Sequence, residues 1–226
     1  MRAPQLDGRL SAAMEMVRQG SRAADVGTDH GRLALRLVLE EKCPLVYASD
    51  LRREPLEKAR RLVARFGFED RVICRLTDGL EGFLPQEVDD VILAGMGGET
   101  IAQIIQKAPW LQDGSKQLVL VPTTSPDLLR AFLARQGFSV IQERAVEAKG
   151  RFYGVLCARY SGHSRQLSPL EAIVGNIQRS GPAAHGYFQK ALYIEEKALK
   201  GKQGAQREEH LRLIAALKEV VEECTQ

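Results

Sequence analysis

A short segment of glycine and acidic residues carries the most specific chemistry in the sequence. It follows an apolar run, precedes a helical pattern and consists of Asp25, Val26, Gly27, Thr28, Asp29, His30 and Gly31. Glycine is required where a chain turns sharply or where the backbone approaches a ligand without an intervening side chain. The free N–H groups at the start of the following helix favour a negatively charged group. The segment therefore predicts a turn that binds the carboxylate end of a small molecule.

Acidic or glycine residues also follow the next three apolar runs. Asp50 ends the second run, 25 residues after Asp25, and is followed by Leu51. A carboxylate at this point accepts hydrogen bonds from ribose hydroxyls in Rossmann-type sites. Asp78 and Gly79 follow the third run, where the carboxylate can accept from an adenine amino group. The fourth run ends in Ala94, Gly95, Met96, Gly97 and Gly98. Because ligands of open α/β sheets bind at strand ends, this pattern predicts a ribose-containing cofactor.

Asp29 distinguishes between the two common cofactors of this kind. The first loop lacks the G-x-G-x-x-G fingerprint of dinucleotide binding, because Asp29 stands where the second glycine belongs. A carboxylate at this point repels a pyrophosphate but favours the sulfonium and ammonium charges of S-adenosyl-L-methionine. The loop therefore predicts S-adenosyl-L-methionine. A nicotinamide-dependent oxidoreductase is the less favoured alternative.

Strand and helix patterns alternate over residues 1–160 and must position these strand ends. An amphipathic helix is predicted over 9–19, before the first strand. Five strand patterns then alternate with helical patterns, and two more flank a charged turn near residue 149. Alternation of this kind predicts a mostly parallel, seven-stranded sheet covered on both faces, with an antiparallel hairpin at one edge. We expect an α/β, Rossmann-like domain over 1–160.

The sequence from residue 161 to 226 predicts a separate helical domain. Its start is typical of a linker, and two helical patterns follow on either side of a break at 201–204. Apolar residues of the second pattern recur as in the seam of a helical hairpin or short coiled coil: Leu213, Leu217, Val220 and Cys224. Nine basic and eight acidic residues leave its role open, whether RNA recognition, protein docking, dimerisation or structural support.

Overall charge does not indicate a nucleic-acid partner, because the net charge is only +3. Arginines are concentrated in the third helical pattern, where the candidate RNA-binding residues are Arg52, Arg53, Arg60 and Arg61. The guanidinium fork matches phosphate oxygens, although a solvated helix face explains the same pattern. Tyr187 and Phe188 could stack on bases, but their helical spacing favours a place in the core.

Cysteine spacing and hydropathy predict neither a metal site nor a membrane segment. The four cysteines, at positions 43, 74, 157 and 224, form no CxxC pair. No apolar run approaches the roughly 20 residues that span a bilayer, and the N-terminus lacks a signal-peptide core. We expect a cytoplasmic protein without a bound metal, and a monomer is favoured.

Several segments together resemble the bacterial tRNA (adenine-N1)-methyltransferases that modify adenine 22 in the D-loop region. They are ADVGTDHG (24–31), VYASD (46–50), P-L-x-x-A (55–59), TDGL (77–80), ILAGMGG (92–98) and KGRFYGVLCA (149–158). The similarity extends over nearly the whole chain. It implies a class I methyltransferase domain, a coiled-coil-like helical tail, S-adenosyl-L-methionine as cofactor and tRNA as partner.

The resemblance also implies roles for individual residues. The loop from Asp25 to Gly31 would bind the methionine end of the cofactor, Asp50 the ribose, Asp78 and Gly79 the adenine, and 94–98 would lie beside the methyl group. Two segments depart from the family pattern. Val121-Pro122-Thr123-Thr124 replaces a glutamine-proline-asparagine segment, and Gly175-Asn176 stands where Gly-Pro is more usual.

Methylation at adenine N1 requires little acid–base chemistry. The ring nitrogen has an in-plane lone pair, so catalysis is chiefly positioning of N1 against the methyl carbon. The product ring is cationic, and Asp29 is the predicted stabiliser of that charge. His30 is predicted to contact the base or accept the N6 proton, and a structural role in the loop is equally compatible. Because N1 lies on the pairing edge, the target must be unpaired or flipped.

Two other functions fit the same residues. One is a methyltransferase for another RNA base or a small molecule, which should keep its activity without the helical tail. The other is a non-catalytic RNA-binding module, which would bind tRNA and leave the methyl donor untouched.

Overall fold

The computed structural model describes residues 2–224, and a seven-stranded sheet forms its centre. The strand order is β3-β2-β1-β4-β5-β7-β6. The first five strands are parallel, and β7 is antiparallel to both β5 and β6. The predicted Rossmann-like sheet with an antiparallel edge hairpin is therefore confirmed. The strands are β1 (Ala23–Val26), β2 (Val46–Asp50), β3 (Val72–Leu76), β4 (Asp90–Ala94), β5 (Gln117–Val121), β6 (Phe138–Ala148) and β7 (Arg151–Tyr160).

Eight α-helices surround or follow the sheet in the described part of the chain. They are α1 (Gly8–Met16), α2 (Arg32–Leu39), α3 (Arg53–Phe66), α4 (Gly98–Gln106), α5 (Pro126–Arg135), α6 (Pro169–Val174), α7 (Ala184–Ala198) and α8 (Gly204–Glu223). Apolar residues of α1, α2 and α3 pack on one face of the sheet, and those of α4 and α5 pack on the other. The first helix is shorter than the predicted 9–19, because Val17 already has extended backbone.

The side of the sheet on which the chain adds successive strands changes between β1 and β4, which are themselves parallel. Strands β2 and β3 extend from one side of β1, and β4 and β5 extend from the other. The connections that follow β1 and β4 therefore diverge and leave a crevice at the carboxyl edge of the sheet. Crevices at such switch points are the usual ligand sites of open α/β folds.

The β6–β7 hairpin projects past this carboxyl edge. β7 pairs with β5 only as far as Leu156 opposite Leu120, and then continues back to Arg151 in pairs with β6 alone. The hairpin turn at Lys149 consequently reaches the crevice. Helix α1 supports the projection, and a Cβ at Gly8 would lie 2.5 Å from the carbonyl oxygen of Glu147.

The C-terminal helices pack on one another and on the hairpin. Leu217 and Val220 of the predicted seam are buried against α6 and α7, with Leu213 and Cys224 half-buried beside them. Tyr187 and Phe188 lie in the same cluster, so the prediction that they belong to the core is confirmed. Helix α6 begins at Pro169, at the end of the segment predicted to be a linker, because Ser168 and Glu171 form a capping box.

A buried ion pair between α5 and β6 is hydrogen-bonded to the C-terminal helices. The side chains of Arg130 on α5 and Glu143 on β6 are 2% and 0% exposed, with Nη2 and Oε1 2.6 Å apart. Arg130 also donates to the carbonyl oxygens of Ala172 and Ile173 on α6, and to the hydroxyl of Tyr187 on α7. Burial alone would lower the pKa of Arg130, but Tyr187 and Glu143 raise it. The guanidinium therefore stays charged and bonded to both parts of the chain.

Candidate functional site

A cleft of about 550 Å³ opens at the carboxyl edge of the sheet, over the switch point between β1 and β4. The loop after β1 and the ends of β2, β3 and β4 form its wall. The structure brings most of the predicted cofactor residues into this one cleft: Asp25, Gly27, Thr28, Asp29, His30, Asp50, Leu51, Asp78, Gly79, Ala94, Gly95 and Met96. Residues up to 71 positions apart in the sequence, from Asp25 to Met96, thus share a single site because parallel strand ends meet at one edge.

Gly31 and Gly97, the other two predicted cofactor residues, do not line the cleft. Gly31 has a φ of +69° at the start of α2, and a Cβ there would lie 2.8 Å from the Cβ of Ala59 on α3. A Cβ at Gly97 would lie 2.9 Å from the Oγ1 of Thr124. Both glycines thus permit close packing of the elements behind the cleft.

The side chain of Asp25 is buried at the floor of the cleft. The hydroxyl of Thr28 donates to its Oδ2 at 2.6 Å. Burial raises the pKa of Asp25 to about 6, against the lowering effect of the Thr28 bond, and Asp50 and Asp29 raise it further. A carboxylate held in this way is stabilised by a cation that enters the cleft.

Asp50 is held by the chain that follows it. Its Oδ1 accepts a hydrogen bond from the backbone N–H of Arg52 at 2.9 Å, and the Nε of Arg52 lies 3.9 Å from the same oxygen. In the described residues, hydrogen bonds from protein donors use only this oxygen. The other oxygen, Oδ2, can therefore accept from a ligand hydroxyl.

Asp29 and His30 project from the loop after β1. Asp29 has a φ of +56°, a left-handed conformation that aspartate and asparagine adopt more readily than most residues. Its carboxylate is 69% exposed, and its Oδ2 lies 3.5 Å from the Nε2 of His30. The loop thus presents a carboxylate and an imidazole together at the mouth of the cleft.

Part of the cleft wall combines apolar side chains with a carboxylate. Leu51 is 65% exposed although it follows a buried strand, and Ile104 on α4 also lines the cleft. Asp78 and Gly79 also line the cleft. A Cβ at Gly79 would lie 3.1 Å from the side chain of Ile104. Apolar side chains with a nearby acceptor suit a flat heterocycle that carries an amino group.

The glycine segment after β4 is fixed to the loop after β5 by backbone bonds. The N–H of Thr123 donates to the carbonyl of Met96 at 2.9 Å, and the N–H of Gly98 donates to the carbonyl of Thr124 at 2.8 Å. A Cβ at Gly98 would lie only 2.2 Å from the carbonyl oxygen of Ser125. The two threonines that depart from the family pattern are therefore bonded to the segment that lines the cleft, although neither is among the residues of its wall.

Several residues of the cleft were not predicted from the sequence. They are Asp7, Arg9, Leu10, Arg32, Leu33, Thr77, Thr100, Ile104, Val121 and Lys149. Asp7 caps α1 by accepting from the backbone N–H groups of Arg9 and Leu10, and it also pairs with the Arg9 guanidinium. An aspartate before an apolar helical pattern is a recognisable cap signal, but only the fold shows that α1 starts beside the cleft.

The four predicted RNA-binding arginines are divided by the structure. Arg52 lines the cleft, whereas Arg53, Arg60 and Arg61 lie on the exposed side of α3. The Nη1 of Arg60 lies 2.6 Å from the Oε1 of Glu57. Their contact with RNA stays a prediction.

Residues 2–224 contain neither a cluster of metal ligands nor a helix that could span a membrane. No three histidine, cysteine or acidic side chains of these residues are arranged to hold a metal ion. All four cysteines are free. None of the described helices combines the length and apolar character that a membrane crossing needs.

The sequence is similar to that of known methyltransferases. Residues 6–156 match the family model described as a methyltransferase domain. The tRNA (adenine(22)-N(1))-methyltransferase of Bacillus subtilis is 32% identical over 153 residues, which cover 68% of this chain and 64% of that relative's length.

Solved structures match over nearly the full chain. A candidate tRNA (m1A22) methyltransferase of Streptococcus pneumoniae, in complex with S-adenosyl-L-methionine, has a TM-score of 0.82 at 29% identity and covers 94% of this chain and 98% of its own. The m1A22 tRNA methyltransferase of Bacillus subtilis shares the fold, with a TM-score of 0.78 at 24% identity over 98% of this chain and 99% of its own. The chain therefore belongs to the methyltransferase-domain family, and the predicted resemblance to the tRNA (adenine(22)-N1)-methyltransferases is confirmed.

Proposed function

We propose that this protein is an S-adenosyl-L-methionine-dependent methyltransferase that modifies N1 of adenine 22 in tRNA. The observation that carries the proposal is the convergence of four carboxylates, those of Asp25, Asp29, Asp50 and Asp78, on one cleft at the switch point. Such a cleft favours a cationic nucleoside over the anionic pyrophosphate of NAD. The names of the relatives support the same reaction.

The residues of the cleft fit the cofactor part by part. Gly27 and Gly95 have φ values of +74° and +88° and leave the backbone uncovered beside the floor. The free oxygen of Asp50 would accept from the ribose, and Asp78 from the adenine amino group, with Leu51 against the ring. When bound, S-adenosyl-L-methionine supplies a methyl group on a positively charged sulfur.

The protein's own residues would then position the base. Asp29 lies at the mouth of the cleft, where its carboxylate can stabilise positive charge that develops on the adenine ring. His30 is close enough to orient the same edge of the base. We expect Thr123 and Thr124 to approach the base from the loop after β5, which is bonded to the segment after β4. A threonine hydroxyl is shorter than the asparagine amide of the family and must contact the base through different atoms.

We further propose the division into a catalytic domain, 1–160, and a helical domain, 161–226. The Arg130–Glu143 pair lies at the boundary between these units and supports a fixed arrangement of the two. A cytoplasmic monomer with tRNA as its partner is the form that we propose to be active.

Methyl transfer to matched transcripts tests the function. The purified protein should transfer labelled methyl groups from S-adenosyl-L-methionine to an unmodified tRNA transcript that has adenine at position 22. A transcript with guanine at that position should accept none, because N1 of guanine carries a proton. Equal labelling of both transcripts would move the target to another nucleotide, and labelling of neither would contradict the proposal.

Replacement of Asp29 by asparagine should slow methyl transfer. Asparagine retains the left-handed loop conformation but removes the negative charge. We expect kcat to fall by roughly 100-fold, the usual loss when one electrostatic stabiliser of a transition state is removed. Single-turnover rates at saturating substrates measure this, and an unchanged rate would exclude the catalytic role.

A parallel variant separates the two roles of His30. If His30 orients the base, His30→Gln should reduce kcat/KM for tRNA and leave the melting temperature unchanged. A lower melting temperature with an unchanged rate would instead identify a structural histidine.

Binding of S-adenosyl-L-methionine should weaken as the pH falls from 7 to 5. The pKa of Asp25 is about 6 in the free protein. A cationic ligand favours the ionised carboxylate of Asp25. Below this pH the carboxyl group must therefore lose a proton when the ligand binds, which lowers the affinity by up to about tenfold per pH unit. Calorimetric titration should show a Kd at pH 5 about tenfold weaker than at pH 7. Asp25→Asn should flatten this dependence, and an equally steep dependence in the variant would contradict the assignment.

A further inference from the structure

Cationic side chains from the hairpin, α1 and α7 lie together at the projecting hairpin, and two of them contact the ring of one tyrosine. The guanidinium carbon of Arg9 lies 4.8 Å from the ring centroid of Tyr153, and the Nζ of Lys190 on α7 lies 5.4 Å from it. Lys149 and Arg151, in and beside the hairpin turn, are exposed. We call these five residues the hairpin cation cluster. Cation–π contacts hold two of its charges in fixed positions.

Most of the charge in the hairpin cation cluster is not neutralised. Asp7 pairs with Arg9 at 2.7 Å. Among residues 2–224, no carboxylate forms an ion pair with Lys149, Arg151 or Lys190. The pKa of Lys190 is lowered, first by burial and then by the neighbouring charge of Arg151. Like charges held together without an acid reduce stability, and such an arrangement is typical of a surface that receives an anionic partner.

The fold places Lys190 in this cluster by close packing. A Cβ at Gly186 on α7 would lie 2.2 Å from the ring of Phe152, so only glycine lets the helix approach β7 this closely. One helical turn later, the Nζ of Lys190 donates to the carbonyl of Phe152 at 2.9 Å. The tail helix is therefore fixed with its cation beside the hairpin.

The hairpin cation cluster is continuous with the cleft. Arg9 and Lys149 line the cleft, while Arg151 and Lys190 lie outside it on the hairpin and on α7. A nucleotide whose base enters the cleft leaves its flanking phosphates at the rim. Cations interleaved with an aromatic ring are a common surface for a single nucleic-acid strand.

We propose that the hairpin cation cluster binds the phosphate backbone of the RNA strand that leaves the cleft. This inference rests on the proposed function and gives α7 a direct part in RNA binding. It adds a contact surface on the side of the cleft opposite to the arginines of α3. RNA that spans the rim would touch the sheet domain and the tail together.

The double variant Arg151→Gln/Lys190→Gln tests the proposal, because neither residue lines the cleft. We expect the Kd for a tRNA transcript to rise by about 5- to 30-fold, and the slope of log affinity against log salt to become shallower by about 1.5. The KM for tRNA should rise, whereas the Kd for S-adenosyl-L-methionine should not change.

Two matched variants control for the loss of charge. Arg151→Lys/Lys190→Arg keeps both charges and should bind tRNA nearly as the unmodified protein does. Arg65→Gln/Arg135→Gln removes two charges from the last turns of α3 and α5, at the amino edge of the sheet, and should have little effect.

The outcomes separate this inference from the proposed function. Wild-type affinity and salt slope in the double variant, in a protein that methylates tRNA, would overturn the inference alone. An equal loss in the amino-edge variant would also overturn it, because net charge would then explain the effect. Failure of the unmodified protein to bind or methylate tRNA would overturn both.

Discussion

Replacement of Asp50 by alanine should weaken S-adenosyl-L-methionine binding by about 100-fold or more. The carboxylate is fixed by the backbone N–H of Arg52 and has one oxygen available to the cleft. Hydrogen bonds to a charged acceptor are each worth about 1.5–3 kcal/mol, so loss of the ribose contacts corresponds to about 3 kcal/mol. Calorimetric titration with the cofactor measures the change directly.

A charge-matched control distinguishes a ribose contact from a general electrostatic effect. Asp70→Ala removes an exposed carboxylate that precedes β3, at the amino edge of the sheet. Its Kd for S-adenosyl-L-methionine should match that of the unmodified protein. If Asp50→Ala also retained that Kd and the protein still bound the cofactor, the ribose would lie elsewhere in the cleft.

Loss of Glu143 should produce the largest fall in stability. Glu143→Ala leaves the buried guanidinium of Arg130 without its counter-charge, and breaking a buried pair in this way costs about 3–5 kcal/mol in the free energy of unfolding. Glu143 also accepts from the backbone N–H of Asn176, so the entry to the tail helices loses a bond as well. Denaturant unfolding and the rate of proteolysis near residue 176 should both report the change.

Two further variants define the origin of that loss. Arg130→Met/Glu143→Leu removes both charges and should recover much of the stability, since apolar replacements of buried pairs are often tolerated. Glu54→Ala breaks the exposed pair with Lys58 and should leave the unfolding midpoint unchanged. A small effect of Glu143→Ala, comparable to that of the exposed pair, would mean that the buried network does not hold the tail in place.

The sheet and the floor of the cleft could be predicted because their signals are local. Each strand end combines an apolar run with an acid or glycine, as at Asp25 and Asp50, and the parallel topology brings these ends to one edge. The same local reasoning predicts that Gly31 and Gly97 contact the cofactor, and that contact stays a prediction. Their neighbours, Ala59 and Thr124, come from distant parts of the chain, so a packing role could not be distinguished from a binding role.

The remaining features depend on long-range geometry that local patterns do not contain. The reach of Lys149 into the cleft follows from the register between β5 and β7, which fixes how far the hairpin projects. The pairing of Arg130 with Glu143 and with α6 and α7 joins four separate elements. The short helix α6 is different, because its capping box from Ser168 to Glu171 is visible in the sequence beside Pro169.

Identification of the methylated atom tests the central claim most directly. A tRNA transcript treated with the protein and S-adenosyl-L-methionine would be cleaved at guanines, and the fragment that contains nucleotide 22 would be analysed by mass spectrometry before and after digestion to nucleosides. We predict a single added methyl group in that fragment, recovered as 1-methyladenosine and absent when the Asp50→Ala variant is used at a cofactor concentration near the wild-type Kd. A methyl group recovered on another base, or on another atom of adenine, would contradict the account.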